Sequence, residues 1–291
     1  MNSPQMVELI RPLIKGDGFY ETLIPGVHLF ASYKPTPRTP LLYEPMLCII
    51  AQGSKIGFLG DREICYNSGH YLVQTLPLPI EVEVHASEEE PLYGMSVRID
   101  PAMLAELVVD TEVIQCSTPD LCPKPMDSVV ITEEMREAVI RLLRALHDPN
   151  AAKLMGSSRV REVLFEALQG AQGKALKALI NHQGNYSRIT QILPQLQSEL
   201  AEDITVEQLA RRANMSVSTF HQHFKQVTRA SPLQYIKRLR LLKAQLLLSH
   251  DELNVTQTAM AVGYRSVNQF SRDYKRYFGV NPTYEKRRDV A

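Results

Sequence analysis

Twelve polar residues near the C-terminus have types and spacing suited to contacting a nucleic acid. They fall in two sets: Ser216, Ser218, Thr219, His221, Gln222 and Lys225, then Ser266, Asn268, Gln269, Ser271, Arg272 and Lys275. An arginine can reach guanine O6 and N7 with two hydrogen bonds, and Asn or Gln can do the same at adenine N6 and N7. Serine hydroxyls and helix N-termini suit phosphate oxygens. A solvated helix face would also be polar. What sets these residues apart is that the pattern occurs twice in register, in the basic part of the chain.

The elements that must hold them repeat as well. Ser216-Val-Ser-Thr-Phe220 recurs as Ser266-Val-Asn-Gln-Phe270, and the same offset pairs Phe224 with Tyr274, Lys225 with Lys275 and Pro232 with Pro282. Upstream the offset is shorter by one: Val206 pairs with Val255 and Ala210 with Ala259. The difference falls between Ala213 and Tyr264, in a turn, where an added residue leaves both flanking helices in phase. Fixed-offset similarity of this kind marks a duplicated supersecondary unit. Each copy reads as helix, turn, helix, over about 205–228 and 254–278. In the first, Thr205 is a cap candidate and Val206, Leu209, Ala210 and Ala213 form the buried stripe. Ser216 caps a second helix whose Phe220, Phe224 and Val227 turn inward at helical spacing. In the second, Ala259 and Val262 pack, Gly263-Tyr264 makes the turn and Ser266 caps. Phe270, Tyr274 and Tyr277 or Phe278 point inward. Between the copies, Pro232 to Ser249 predicts one helix of roughly 17 residues, ~25 Å long, with Tyr235, Ile236, Leu239, Leu242 and Leu246 on its buried stripe. That length is compatible with recognition helices placed ~34 Å apart in successive major grooves.

Charge divides the chain in the same place. Residues 185–291 carry 16 Lys and Arg against 9 Asp and Glu, and residues 1–184 carry 16 against 23, so a neutral whole has a basic end and an acidic beginning. A polyanion partner is implied for the basic end only. With 44% hydrophobic residues the 291-residue chain can bury about two domain cores. The start shows no long apolar signal segment, and no apolar run approaches the ~20 residues of a membrane helix. Cys48, Cys65, Cys116 and Cys122 are scattered, without CxxC spacing, which predicts a reduced, cytoplasmic chain.

The first half predicts short strands. Met46–Ala51, Ile56–Leu59, Ile64–Tyr66, Tyr71–Leu76 and Tyr93–Ile99 are apolar runs cut by turn residues, and Ile80, Val82 and Val84 alternate with polar neighbours. Such spacing suggests an antiparallel barrel or sandwich. Asp100-Pro101 opens a helix, 110–128 reads as a loop, and Thr132 starts a helix that stops at Asp148-Pro149. Helices near 159–169 and 174–182 follow, and Gly184-Asn185 marks the expected boundary between domains 1–184 and 185–291.

Leu209-Ala210, Met215-Ser216-x-Ser218-x-Phe220, Phe224-Lys225, Ser231-Pro232-x-x-Tyr235, Arg240-Leu241, Ala244 and Leu247-Leu248, with Gly263-Tyr264-x-Ser266, Phe270-x-Arg272, Lys275, Phe278-Gly279 and Pro282, resemble the AraC/XylS family of transcription regulators over about 190–288. The resemblance implies seven helices with two recognition helices. It puts Ser218, His221 and Gln222 in the base-reading slots of the first unit, and Asn268, Ser271 and Arg272 in those of the second. Arg229 departs from it, standing where the family usually has Gly, and Thr258 stands at a usually aliphatic slot. Upstream, Tyr43-Glu-Pro45, Gln52-Gly-x-Lys55, Gly60-Asp61, Tyr66, Gly69-His-Tyr-Leu72, Ala86-Ser87, Arg161-Glu162 and Gly170 resemble the AraC-type N-terminal domain. This implies a cupin-like β-barrel with trailing helices that senses a small molecule or mediates dimerisation. Members of that subgroup are linked to alcohol or aldehyde metabolism.

The expected fold is therefore α+β: a cupin-like barrel with trailing helices, then an all-α domain of two helix-turn-helix units joined by a long helix. The expected function is sequence-specific binding of double-stranded DNA to regulate transcription under a small-molecule effector, with RNA polymerase and a second copy of the chain as further partners, and no membrane. Two alternatives stay open: a cupin-type enzyme with an accessory DNA-binding domain, and a regulator without a ligand. Metal-binding cupins need two His close in one strand, whereas His28, His70 and His85 are isolated, so neither metal nor cofactor is expected. Cys48 and Cys65 read as small packed hydrophobes, with electrophile sensing by their thiols as the alternative.

Overall fold

The computed structural model describes residues 3–110, 123–180, 184–249 and 253–285. They group into two compact units. The first holds Met1–Arg38, Tyr43–Leu76 and Val82–Gln183; the second holds Thr39–Leu42, Pro77–Glu81 and Gly184–Ala291.

The first unit is built on antiparallel strands. β1 (Gly18–Glu21), β2 (Val27–Ser32), β9 (Leu92–Arg98), β4 (Met46–Gln52), β7 (His70–Gln74) and β10 (Met126–Val130) lie side by side in that order. A second sheet has the order β3 (Thr36–Tyr43), β8 (Leu78–His85), β5 (Ser54–Leu59) and β6 (Arg62–Asn67). The sequence reading finds β4 to β9 and misses β1, β2, β3 and β10. The last of these corrects the end of the expected 110–128 loop; residues 111–122, with Cys116 and Cys122, lie outside the described residues.

β4 shows why its run is continuously apolar. Leu47, Ile49 and Ala51 face the helices, Cys48 and Ile50 face the other sheet, and all five are buried. The helix-side face packs on α1 (Pro4–Ile10) through Met6 and Ile10, on α2 (Pro101–Asp110) through Leu104 and Leu107, and on α3 (Glu133–Ala145) and α4 (Pro149–Gln169). Asp100 Oδ1 accepts the Ala102 N–H and Thr132 Oγ1 that of Met135, so both expected starts are real caps. Asp148-Pro149 is a correction. α3 has already ended at Ala145, and the dipeptide begins the next helix, with the Asp148 side chain accepting the Asn150 N–H at 2.8 Å and Pro149 in the first turn. α4 therefore runs 21 residues, starting well before 159. α5 spans Gly173–Ile180.

The second unit contains the seven implied helices among its described residues: α6 (Gly184–Ser198), α7 (Val206–Arg212), α8 (Val217–Thr228), α9 (Pro232–Ser249), α10 (Val255–Ala261), α11 (Val267–Phe278) and α12 (Pro282–Glu285). α9 has the expected ends, but its buried stripe shifts face midway. Tyr235, Ile236, Leu239 and Leu242 are buried, then Leu241, Ala244 and Leu248, and Leu246 is 61% exposed. The helix serves two neighbours on different faces, Phe224 of the first repeat and the α10–α11 core of the second, so one unbroken stripe cannot serve both. No described helix is long and apolar enough to cross a membrane.

Candidate nucleic-acid interface

Each repeat is set by local hydrogen bonds before any packing. α7 starts with a capping box: Thr205 Oγ1 accepts the Gln208 N–H, and Gln208 Oε1 accepts the Thr205 N–H. α10 repeats the device with Asn254 and Gln257. In the turns, the Met215 N–H bonds the Ala210 carbonyl and the Tyr264 N–H bonds that of Ala259, so the two turns run in step as far as Met215 and Tyr264. The extra residue of the second copy is thus Arg265, just beyond the interval expected. Asn214 and Gly263 hold the left-handed turn position in the two copies, at φ +51° and +83°.

The second helix of each unit is then aimed by its inward aromatics. Phe220 and Phe224 lie 5.3 Å apart, and Phe224 meets Tyr235 of α9 at 5.4 Å. In the other unit Phe270 contacts Tyr264 at 5.3 Å and Tyr274 at 5.6 Å. Val227 is buried, while Val206, Tyr277 and Phe278 are half-buried. Both Ser216 and Ser266 cap as expected, accepting the N–H of Thr219 and Gln269. Their hydroxyls are thereby committed to the helix as much as to a ligand.

Ser218, Gln222, Lys225, Asn268, Gln269, Arg272 and Lys275 are exposed; Thr219, His221 and Ser271 are half-buried. Among the described residues Gln222, Lys225, Asn268, Arg272 and Lys275 have no side-chain partner, so their donors remain free. Thr219 differs, since its hydroxyl bonds that of Ser216 at 2.8 Å.

Asp273 escapes the sequence reading. It is an acid in a basic helix, 8% exposed, and its carboxylate meets Lys237 Nζ of α9 at 2.6 Å and the Tyr264 hydroxyl at 3.4 Å. Burial and the Asp273 charge push the Tyr264 phenol far up, so it stays a donor. The signal was its place three residues after Phe270, on the inward face. Asp273 ties α11 to α9 and thereby fixes the direction in which Arg272 and Lys275 project.

The two departures have structural content. Arg229 sits at φ +58° as the left-handed cap of α8, where the second copy uses Gly279 at φ +78°. Thr258 is fully buried and its hydroxyl has no partner.

In the first unit the histidines do not converge. His28 stacks on Phe19, His70 Nδ1 meets Asn67 at 2.9 Å and His85 Nε2 meets Glu83 at 3.3 Å. Cys48 is buried, and burial raises its thiol pKa, which opposes nucleophilic use; Cys65 is exposed.

Two family models match the chain: the AraC-type transcriptional regulator N-terminus over residues 23–175, and a helix-turn-helix domain over 209–288. The HTH-type transcriptional activator RhaS of Escherichia fergusonii is 32% identical over 152 residues, covering 52% of this chain and 54% of that protein. RhaS of Citrobacter koseri is 34% identical over 122 residues, covering 42% and 44%. The chain thus spans about half the length of the curated relatives it matches. Among solved structures, unsaturated fatty acid-bound ToxT from Vibrio cholerae aligns over 94% of this chain and 97% of its own, with a TM-score of 0.58 at 11% identity, a likeness of fold alone.

Proposed function

The chain belongs to the AraC-type transcriptional regulators, and from that premise we propose that it binds a specific DNA site through α8 and α11 and regulates transcription under control of a small molecule held in its N-terminal barrel. The observation that carries this reading is the unpartnered set Gln222, Lys225, Asn268, Arg272 and Lys275, displayed on two helices of one duplicated unit. Arg272 and Asn268 suit base edges, and Lys225 and Lys275 suit phosphate. Ser218, Thr219, His221, Gln269 and Ser271 complete the contact set, with Ser216 and Ser266 offering helix N-termini to the backbone. Because corresponding positions differ (Ser218 against Asn268, Gln222 against Arg272), the two units read unlike half-sites.

The division near residue 184 belongs to the same reading, with a sensing domain before it and a DNA-binding domain after. Control by an effector is supported by ToxT, whose overall fold is similar and which has been seen bound to an unsaturated fatty acid. RNA polymerase and a second copy of the chain are the protein partners of this reading, dimerisation being assigned to the acidic domain. The reading is of a cytoplasmic regulator rather than an enzyme, in keeping with a matched N-terminal domain of transcriptional regulators and a helix-turn-helix domain.

Selection of genomic fragments by the full-length protein tests it. An asymmetric consensus is expected, bound more tightly than random DNA by ~10³-fold or more. Enrichment of no sequence would overturn it.

A further inference from the structure

The second helix-turn-helix unit differs from the first by one added residue, and that residue is charged. Arg265 stands between the turn and Ser266, the cap of α11. The first unit carries Arg211 and Arg212 on α7, whereas α10 has Met260 and Ala261 at the corresponding places and no Lys or Arg along its length. The added residue thus returns a cation to the front of the second unit. Stability does not account for it. A cation just before a helix faces the positive end of the helix dipole, where an acid would be favoured. Arg265 Nη2 does meet Asp203 Oδ2 at 2.6 Å, but the two side chains are 84% and 81% exposed, so water screens the pair. The ion pairs Arg212–Glu199 and Lys237–Asp273 of the same unit lie partly buried instead.

Asp203 is held where it stands. Arg240 of α9 donates from Nε to the Leu200 carbonyl at 2.8 Å and from Nη2 to the Glu202 carbonyl at 2.9 Å. Leu200 is buried, and its carbonyl and that of Ala201 lie against Gly263 in the turn of the second unit. The chain before α7 is thereby clamped beside the turn before α11, and the clamp ends one residue short of Asp203. A carboxylate fixed against an exposed arginine occupies the place that an anion from outside would take. In a module whose partner is a polyanion, that carboxylate also repels the partner.

We propose that Arg265 is a phosphate contact of the second unit, and that Asp203 holds it in the free protein and gives way to a phosphate oxygen when DNA binds. This rests on the DNA-binding reading above and adds to it a residue outside the twelve polar positions. A guanidinium matches a phosphate with two parallel N–H donors. With the first turn of α11 directed at base edges, the residue just before it reaches the phosphates that line the groove. The exchange trades one charge-assisted pair for another, and release of counterions from the DNA favours it. Asp203 therefore sets the affinity below what the cations of the module would give alone.

The test uses the full-length protein with two probes, the duplex selected from genomic fragments and a random duplex of equal length, titrated over ~50–200 mM salt. Arg265→Ala should weaken both duplexes by the same factor and lower the salt slope by ~0.9, and Arg265→Lys should restore the slope. Asp203→Asn should tighten both severalfold, with a smaller gain when it is combined with Arg265→Ala. Both single variants should keep Tm close to that of the wild type, because the pair is exposed. Asp203→Asn that weakens binding as Arg265→Ala does would overturn the proposal, since the pair would then be a structural tie. A gain from Asp203→Asn that is as large without Arg265 would overturn the hold, since the carboxylate would then act through its own charge. A wild type without salt-dependent binding to either duplex sinks the DNA reading and this contact with it. A wild-type slope that Arg265→Ala leaves unchanged sinks the contact alone.

Discussion

The first helix-turn-helix unit closes its recognition helix on Arg229, and the second closes its own on Gly279, with the same left-handed backbone at both. The turns show the same pairing, Asn214 against Gly263. The backbone geometry has been kept while the residue best suited to it is present in only one copy. The second unit has the favourable glycines but carries Thr258, a buried hydroxyl without a partner. Each copy thus holds a different local defect inside a common frame, and what the frame preserves is the aim of the outward side chains.

The comparison breaks most readily at Gly263. A Cβ there would stand 2.8 Å from the Leu200 carbonyl oxygen and 2.9 Å from Arg240, at a φ that disfavours any side chain. Gly263→Ala should cost about 2–4 kcal/mol, read as a fall in Tm and in DNA affinity. Asn214→Ala, at the same backbone position, keeps a Cβ that is already accommodated and should cost less; equal losses would show that strain alone sets the effect. Arg272→Ala should lose ~1–3 kcal/mol of binding at one base position and relax preference there. Uniform weakening on all sequences would make Arg272 a phosphate contact. Lys225→Ala should weaken all sites and reduce the salt slope by ~0.9; an unchanged slope would contradict its assignment to phosphate. Thr258→Val should stabilise by about 1 kcal/mol, since it removes an unsatisfied hydroxyl and keeps the shape. The smallest effect is Arg229→Gly, a gain of about 0.5–1 kcal/mol once the greater freedom of glycine in the unfolded chain is counted. A loss at either position, in chemical denaturation, would mean that the departure is stabilising.

The helical module was legible because its signals are local and occur twice: caps at Ser216 and Ser266, aromatics at helical spacing, and a fixed offset. Leu246 misled because periodicity cannot show that α9 changes face between its two neighbours. In the barrel, strands with clean alternation were readable, but β3 carries Pro37 and Pro40 and β1 follows Gly16, so both resemble turns. α4 was cut short because Asp148-Pro149 was read as a stop, when the same dipeptide is a strong start. In the sequence Lys55, which is buried on β5, stands out only within the pattern Gln52-Gly-x-Lys55. Its alternation with Gly57 and Leu59 is the one hint that it points inward, and that hint runs against the usual exposure of lysine. Asp273 was hidden likewise, by its charge. Both are buried charges, whose placement depends on partners distant in sequence.

The local capping boxes of α7 and α10 also bear on how the chain acquires its fold. Every bond of those boxes joins residues three apart, whereas the β2–β9 ladder must bring Val27 to Val97 before it gains anything. Loop closure over such distances slows folding, and helical pieces with short-range contacts form early. The duplicated helical module, although it follows the barrel in the chain, is therefore the part expected to acquire structure faster once its residues are free. The barrel sets the pace at which a newly made chain completes its fold.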